Sequence, residues 1–100
     1  MKILAIESEK PGIPADAFQP HLKAEAARIW ELYQDGVIRE MYFHQDRHRA
    51  VLMLECTAMG EAEEVLGTLP LVRAGLIAFE VIPLAPYPGF ARLFSANPSV

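Results

Sequence analysis

The chain has 100 residues, of which 52% are hydrophobic and 22% are charged, and its formal net charge at pH 7 is −4. This length allows one domain, and the composition excludes a disordered chain or a fibre. With only 9 Lys and Arg residues we expect no nucleic-acid binding, and a single cysteine cannot form an intrachain disulfide. No apolar run approaches the roughly 20 residues of a membrane helix, and the N-terminus lacks a signal-peptide layout. We therefore expect no membrane association and a cytoplasmic location.

The first half of the chain predicts a strand, a loop and a helix. Residues 2–7 form a short apolar run rich in Ile and Leu, which is typical of a strand. Residues 8–17 contain two prolines and a glycine, which indicate a loop. From Phe18 to Tyr33 apolar residues recur at helical spacing, so we predict an amphipathic helix that ends at Gly36.

The second half predicts two strands, a shorter helix and a last strand. Residues 37–44 and 50–56 are rich in β-formers and flank a polar turn, which indicates a hairpin. Residues 60–69 have apolar side chains on one helical face, and Pro70 ends or distorts this helix. Residues 77–84 are the last predicted strand.

The resulting order, β-α-β-β-α-β, is that of the ferredoxin-like fold in the α+β class. It predicts a four-stranded antiparallel sheet with two helices on one face. The other face then needs a cover, and the surplus of hydrophobic residues indicates self-association as a homodimer or a higher oligomer built from dimers. We predict one domain over residues 1–84 and a tail over residues 85–100 that packs on the domain or on the partner subunit.

Alternation along each strand predicts which side chains face the helices. The third strand has one alternate set without a charge, which we assign to the core: Ala50, Leu52, Leu54 and Cys56. The more apolar set of the last strand is also assigned to the core: Ile77, Phe79 and Val81. In the first strand we expect Leu4 and Ile6 in the core, with Ile3, Ala5 and Glu7 on the open face.

The second strand is ambiguous, and slightly greater apolar content favours one set for the core: Val37, Arg39, Met41 and Phe43. The other set then joins the open face: Ile38, Glu40, Tyr42 and His44. That face would combine carboxylates with apolar residues, and Glu55 and Glu80 would lie there too. Such a mixture predicts a cavity enclosed where two subunits meet.

Two segments resemble the dimeric α/β-barrel superfamily and, within it, the muconolactone isomerase-like proteins. They are ELYQDGVIRE at residues 31–40 and Leu-Pro-Leu at residues 69–71, between the second helix and the last strand. The resemblance implies a homodimeric α/β-barrel. It also implies a cofactor-independent isomerase that acts on a small carboxylate or lactone.

The candidate catalytic residues are His44, Arg39, Tyr42 and Glu55. An imidazole such as that of His44 can accept and donate a proton at neutral pH. Arg39 or Tyr42 can stabilise an enolate through hydrogen-bond donors. A carboxylate such as Glu55 in an apolar cavity can act as a general base.

Each candidate also has a structural interpretation. His44 can be an exposed residue at a turn, Arg39 can pair with a carboxylate, and most Glu side chains lie in solvent. The protein is then a non-catalytic small-molecule-binding or structural protein. A third alternative is a cofactor-free monooxygenase, which requires Trp30 and Tyr33 to line a pocket. The His and Cys spacing carries no metal-ligand signature, so we expect no metal and no cofactor.

Overall fold

The computed structural model describes residues 1–96, so the last four residues of the predicted tail lie outside it. The strands are β1 (Lys2–Glu9), β2 (Ile38–Phe43), β3 (Ala50–Glu55) and β4 (Ile77–Pro83). They form one antiparallel sheet in the order β2-β3-β1-β4. The helices are α1 (Leu22–Gln34), α2 (Met59–Leu66) and α3 (Pro70–Arg73). The predicted ferredoxin-like α+β fold class is confirmed.

Both helices differ from their predicted extent at a proline. Before α1, two short 3₁₀ helices span Ala15–Ala17 and Gln19–His21. Pro20 has no N–H to donate to a carbonyl one turn earlier, so the regular α-helix begins after it. The second predicted helix divides in two because Pro70 starts the separate helix α3 at a position where its missing N–H is tolerated.

Both connections from a helix to a strand close with the same hydrogen-bonded turn. After α1, the N–H of Val37 donates to the carbonyl oxygen of Leu32 at 3.0 Å, and Gly36 has a φ of 78°. The turn after α3 has the same bonds, and Gly75 there has a φ of 75°. This is the Schellman motif, whose left-handed position favours glycine. The prediction that α1 ends at Gly36 is confirmed.

The helix-facing side of the sheet holds the hydrophobic core. Its large, fully buried side chains are Ile3, Ile38, Leu52, Leu54 and Leu69. Ile3 pairs with Leu54 across β1 and β3, so the odd-numbered residues of β1 face the helices. The assignments for the third and last strands are confirmed. The assignment of Leu4 and Ile6 to the core, with Ile3, Ala5 and Glu7 on the open face, is wrong.

A β-bulge in β2 shifts the alternation of that strand. Ile38 and Glu40 pair with adjacent residues of β3, so Arg39 is the extra residue. Ile38 is therefore buried, whereas Arg39 is exposed and donates its Nε–H to the carbonyl oxygen of Gly36 at 2.6 Å. The assignment of Arg39 to the core and of Ile38 to the open face is wrong. The extra residue of the bulge interrupts the alternation of β2, so one alternate set does not face the helices along the whole strand.

The face of the sheet opposite the core carries half-buried apolar side chains at its centre. These are Leu4, Ile6, Val51, Met53 and Ile82. After β4 the chain continues as a tail that includes a 3₁₀ helix over Gly89–Leu93. The apolar residues of this tail are exposed: Tyr87, Phe90, Leu93 and Phe94. None of the helices in residues 1–96 is long and apolar enough to cross a membrane.

Candidate functional site

A cavity of about 930 Å³ lies between α1 and the helix-facing side of the sheet. Its walls are mainly apolar and include Leu22, Ile29, Met41, Leu52, Leu71 and Phe79. A cavity of this size and polarity suits a small organic ligand. The sequence predicts a cavity on the other face of the sheet, between two subunits, whereas this cavity forms within one chain.

Two carboxyl groups lie in the cavity wall and are the buried charged side chains among the described residues. Glu7 on β1 is 7% exposed and Glu25 on α1 is 8% exposed. An Oε1 atom of Glu25 accepts a hydrogen bond from the Leu71 N–H at 2.9 Å. An Oε1 atom of Glu7 accepts a longer one from the Ala50 N–H at 3.4 Å. Backbone donors thus orient both carboxyls in an apolar space.

The environment of Glu25 changes its affinity for a proton. Burial raises the pKa of Glu25 above its ordinary value, because the charged form loses its hydration. The hydrogen bond from Leu71 opposes this, since it stabilises the carboxylate. The negative charge of Glu7 raises the pKa of Glu25 further, and the charge of His21 lowers it. Glu25 therefore keeps its proton to a higher pH than an exposed Glu does, and the two carboxyls interact.

The mouth of the cavity has aromatic and positively charged groups. Trp30 and Tyr33 of α1 are exposed there and stack with their ring centroids 6.0 Å apart. Lys10 and His48 are also exposed lining residues. The His48 ring lies 5.1 Å from the ring of Phe43. The cavity therefore has an acidic interior and a mouth that can carry positive charge.

The four sequence-predicted catalytic residues lie outside the set that lines this cavity. Arg39 is held by the Gly36 carbonyl oxygen, as described above. The hydroxyl of Tyr42 donates to a carboxylate oxygen of Glu40 at 3.0 Å on the exposed surface. This hydrogen bond raises the pKa of Tyr42, because it stabilises the protonated phenol beside a negative charge.

The other two predicted residues are also exposed. His44 uses Nδ1 to accept a hydrogen bond from the Asp46 N–H at 3.1 Å, within the β2–β3 turn. Glu55 lies 3.5 Å from the N-terminal amine of Met1. These positions do not bring His44 and Glu55 together with Arg39 or Tyr42 around one cavity. Their catalytic role stays a prediction.

Glu25 was missed although it carries a recognisable sequence signal, and Glu7 was placed on the wrong face of the sheet. Glu25 has the helical spacing of the apolar residues Leu22, Ile29 and Leu32, so it occupies a core-facing position of α1. A charged residue at such a position is rarely buried without a reason. Within residues 1–96, no group of three or more His, Cys, Asp or Glu side chains could hold a metal ion.

The fold and the cavity define a small ferredoxin-like α+β protein with a mainly apolar cavity, lined by two buried carboxyls, between helix and sheet. A family model described as muconolactone delta-isomerase matches residues 5–89. The chain belongs to the muconolactone delta-isomerase family.

Two solved structures have the same fold at low sequence identity. Muconolactone isomerase is 19% identical with a TM-score of 0.69, over 88% of this chain and 92% of that one. The 5-chloro-2-hydroxyhydroquinone dehydrochlorinase TftG from Burkholderia phenoliruptrix AC1100, in complex with 2,5-dihydroxybenzoquinone, is 20% identical with a TM-score of 0.62. That match spans 85% of this chain and 94% of that one. A comparison with curated protein sequences gives no match.

Proposed function

We propose that this protein is a cofactor-independent isomerase that moves a proton within a small lactone or carboxylate. The observation that carries this proposal is the pair of buried carboxyls, Glu7 and Glu25, in one apolar cavity. Removal of a proton beside a carbonyl and its return elsewhere require an acid and a base held close to the substrate. Membership of the muconolactone delta-isomerase family supports this class of reaction.

The two carboxyls have different roles in this proposal. Glu25 retains its proton at higher pH, so it acts as the acid that donates to the enolate oxygen as negative charge develops there. Glu7 reaches the same cavity from β1 and acts as the base that takes the proton from carbon. The apolar walls keep water from competing for either proton.

Substitution of each carboxyl by the isosteric amide tests this proposal. Glu25→Gln and Glu7→Gln each remove a proton-transfer group, so we expect turnover of muconolactone to fall about 10²-fold or more. Glutamine keeps a side-chain oxygen for the Leu71 or Ala50 N–H. Isomerisation is followed by NMR in D₂O, which also detects deuterium that enters at the reacting carbon.

Glu80→Gln is the matched control, because Glu80 is exposed on the opposite face of the sheet. It should leave turnover at the wild-type rate. Wild-type turnover in Glu25→Gln and Glu7→Gln would contradict the proposal. Binding of muconolactone or related lactones by the wild type without any turnover would support the alternative of a non-catalytic small-molecule-binding protein.

A second candidate function is a cofactor-free monooxygenase. The observation in its favour is that Trp30 and Tyr33 both line the cavity, as that alternative requires. Both rings are more than half exposed, however, whereas the two carboxyls are buried. Oxygen uptake with a hydroquinone, measured by an oxygen electrode, distinguishes this activity from proton transfer, which consumes no oxygen.

We also propose that the protein is a homodimer, or a higher oligomer built from dimers, with the C-terminal tail packed on the domain or on the partner subunit. The half-buried apolar centre of the open face and the exposed aromatic tail support this, because isolated domains rarely leave both uncovered. Light scattering at micromolar concentration should give at least twice the chain mass of 11.1 kDa. A monomer would contradict this proposal. A cytoplasmic location stays a prediction.

A further inference from the structure

We infer that Lys10 and His48 bind an anionic group of the substrate at the mouth of the cavity, which directs the apolar, reacting end inward to Glu7 and Glu25. The inward end of this arrangement rests on the proposed function. The anion site at the mouth depends only on the charges around the cavity, so it does not require the proposed isomerase activity.

The distribution of charge in the cavity wall sets this orientation. Lys10 and His48 are the lining residues with a nitrogen that can carry positive charge, and both are exposed. Glu7 and Glu25 lie inside and are buried. An anion that entered with its charge inward would lose its hydration beside carboxyl groups. The same anion at the mouth stays partly hydrated and gains a cationic partner.

The chain segments that carry these two residues are connected by a hydrogen bond at the end of the sheet. Arg49, next to His48, donates its Nε–H to the carbonyl oxygen of Glu7 at 2.6 Å. This bond connects the β2–β3 turn to the end of β1, from which the chain continues to Lys10. Contact with the ring of Phe43 also holds the imidazole at the mouth.

The Lys10 side chain is exposed where it lines the cavity. Neither of the ion pairs Met1–Glu55 and Arg28–Glu31 involves it. Together with His48 it can bind a carboxylate through charge-assisted hydrogen bonds.

Two fluorescent probes that share an aromatic body test this inference without any turnover. The first is 1-anilinonaphthalene-8-sulfonate, which carries one anionic group, and the second is N-phenyl-1-naphthylamine, which has the same rings and no charge. Fluorescence titration of the full-length protein gives the dissociation constant of each. Lys10→Met should weaken binding of the anionic probe about 5- to 10-fold and leave the neutral probe unchanged, because it removes one partly exposed charge interaction.

Four further variants make the result specific to the mouth. Lys10→Arg should restore most of the affinity for the anionic probe, and His48→Gln should lower it by a smaller factor. Lys23→Met makes the same change in net charge on the exposed surface of α1, away from the cavity, and should have no effect. Ala26→Phe places a bulky ring in the cavity lining and should weaken both probes.

Equal effects of Lys10→Met and Lys23→Met on the anionic probe would overturn the inference, because the effect would then come from net charge. No effect of Lys10→Met on either probe would overturn it as well. Neither probe reacts, so the probe experiment does not depend on turnover. If the Glu25→Gln experiment contradicted the isomerase proposal, weaker binding of the anionic probe to Lys10→Met would still support the anion site. An intact isomerase with no anion preference would remove only the assignment of Lys10 and His48.

Discussion

The two faces of the sheet come from alternate residues of the same strands, yet they place carboxyl groups in opposite environments. On the helix-facing side, Glu7 lies in an apolar cavity that Glu25 of α1 also lines. On the other side, Glu40 and Glu80 are exposed to solvent. The comparison teaches that the packing of helices on one face, and not the residue type, makes a carboxyl suitable for acid–base chemistry.

The largest expected difference between the two faces is in stability. Leu54→Ala removes a fully buried side chain from the helix-facing side, so it should lower the free energy of unfolding by about 3 kcal/mol. Met53→Ala, the next residue and on the opposite face, should cost about 1 kcal/mol, because that side chain is half-buried. Urea unfolding at equal protein concentration measures both. A larger effect of Met53→Ala would show that the open face is the main core.

A smaller effect should appear in the pH dependence of stability. The pKa of Glu25 is raised in the folded state, so its protonated form favours folding at low pH, and stability is lost as the pH rises through the raised pKa. Glu25→Gln has no proton to lose at this site. Its stability relative to the wild type should therefore increase as the pH rises above the ordinary pKa range of a Glu carboxyl.

The exposed face supplies the control for this measurement. Glu80→Gln should follow the wild-type curve of stability against pH, since Glu80 is exposed in the folded protein. Parallel curves for Glu25→Gln and the wild type would mean that burial does not change the protonation of Glu25.

The smallest expected effects are on turnover, at the residues that the sequence analysis favoured. His44→Ala and Tyr42→Phe remove groups that lie outside the cavity and bind only neighbouring surface groups. Both variants should keep wild-type turnover in the muconolactone assay. A 10²-fold loss of turnover in His44→Ala would instead identify His44 as the acid–base group. The active site would then lie at the β2–β3 hairpin and not in the cavity.

The sequence predicts the order of elements well because their signals are local. The third strand has an uncharged alternate set, and Gly36 stands where a left-handed residue must end α1. The first strand is different, because both of its alternate sets contain apolar residues. Only the pairing of Ile3 with Leu54 in the folded sheet shows which set faces the helices.

The candidate site is harder to predict because it depends on two exceptions to pattern rules. The bulge at Arg39 adds one residue to β2, and no local pattern in that strand marks its place. Glu25 occupies a position of α1 where the helical pattern has apolar residues. A prediction from residue polarity alone places a Glu in solvent. The buried pair becomes visible only when the sheet places Glu7 opposite the helix.

The matched turns at Gly36 and Gly75 have a consequence for changes in chain length. Each turn fixes the number of residues between the last helical carbonyl and the first residue of the next strand, and so determines that Ile38 and Ile77 enter the core. Insertion or deletion of a single amino acid at either junction would move each side chain of the following strand to the opposite face of the sheet and expose its isoleucine. Natural and engineered length variation in this protein should therefore concentrate in the β2–β3 turn and in the segment between β1 and α1.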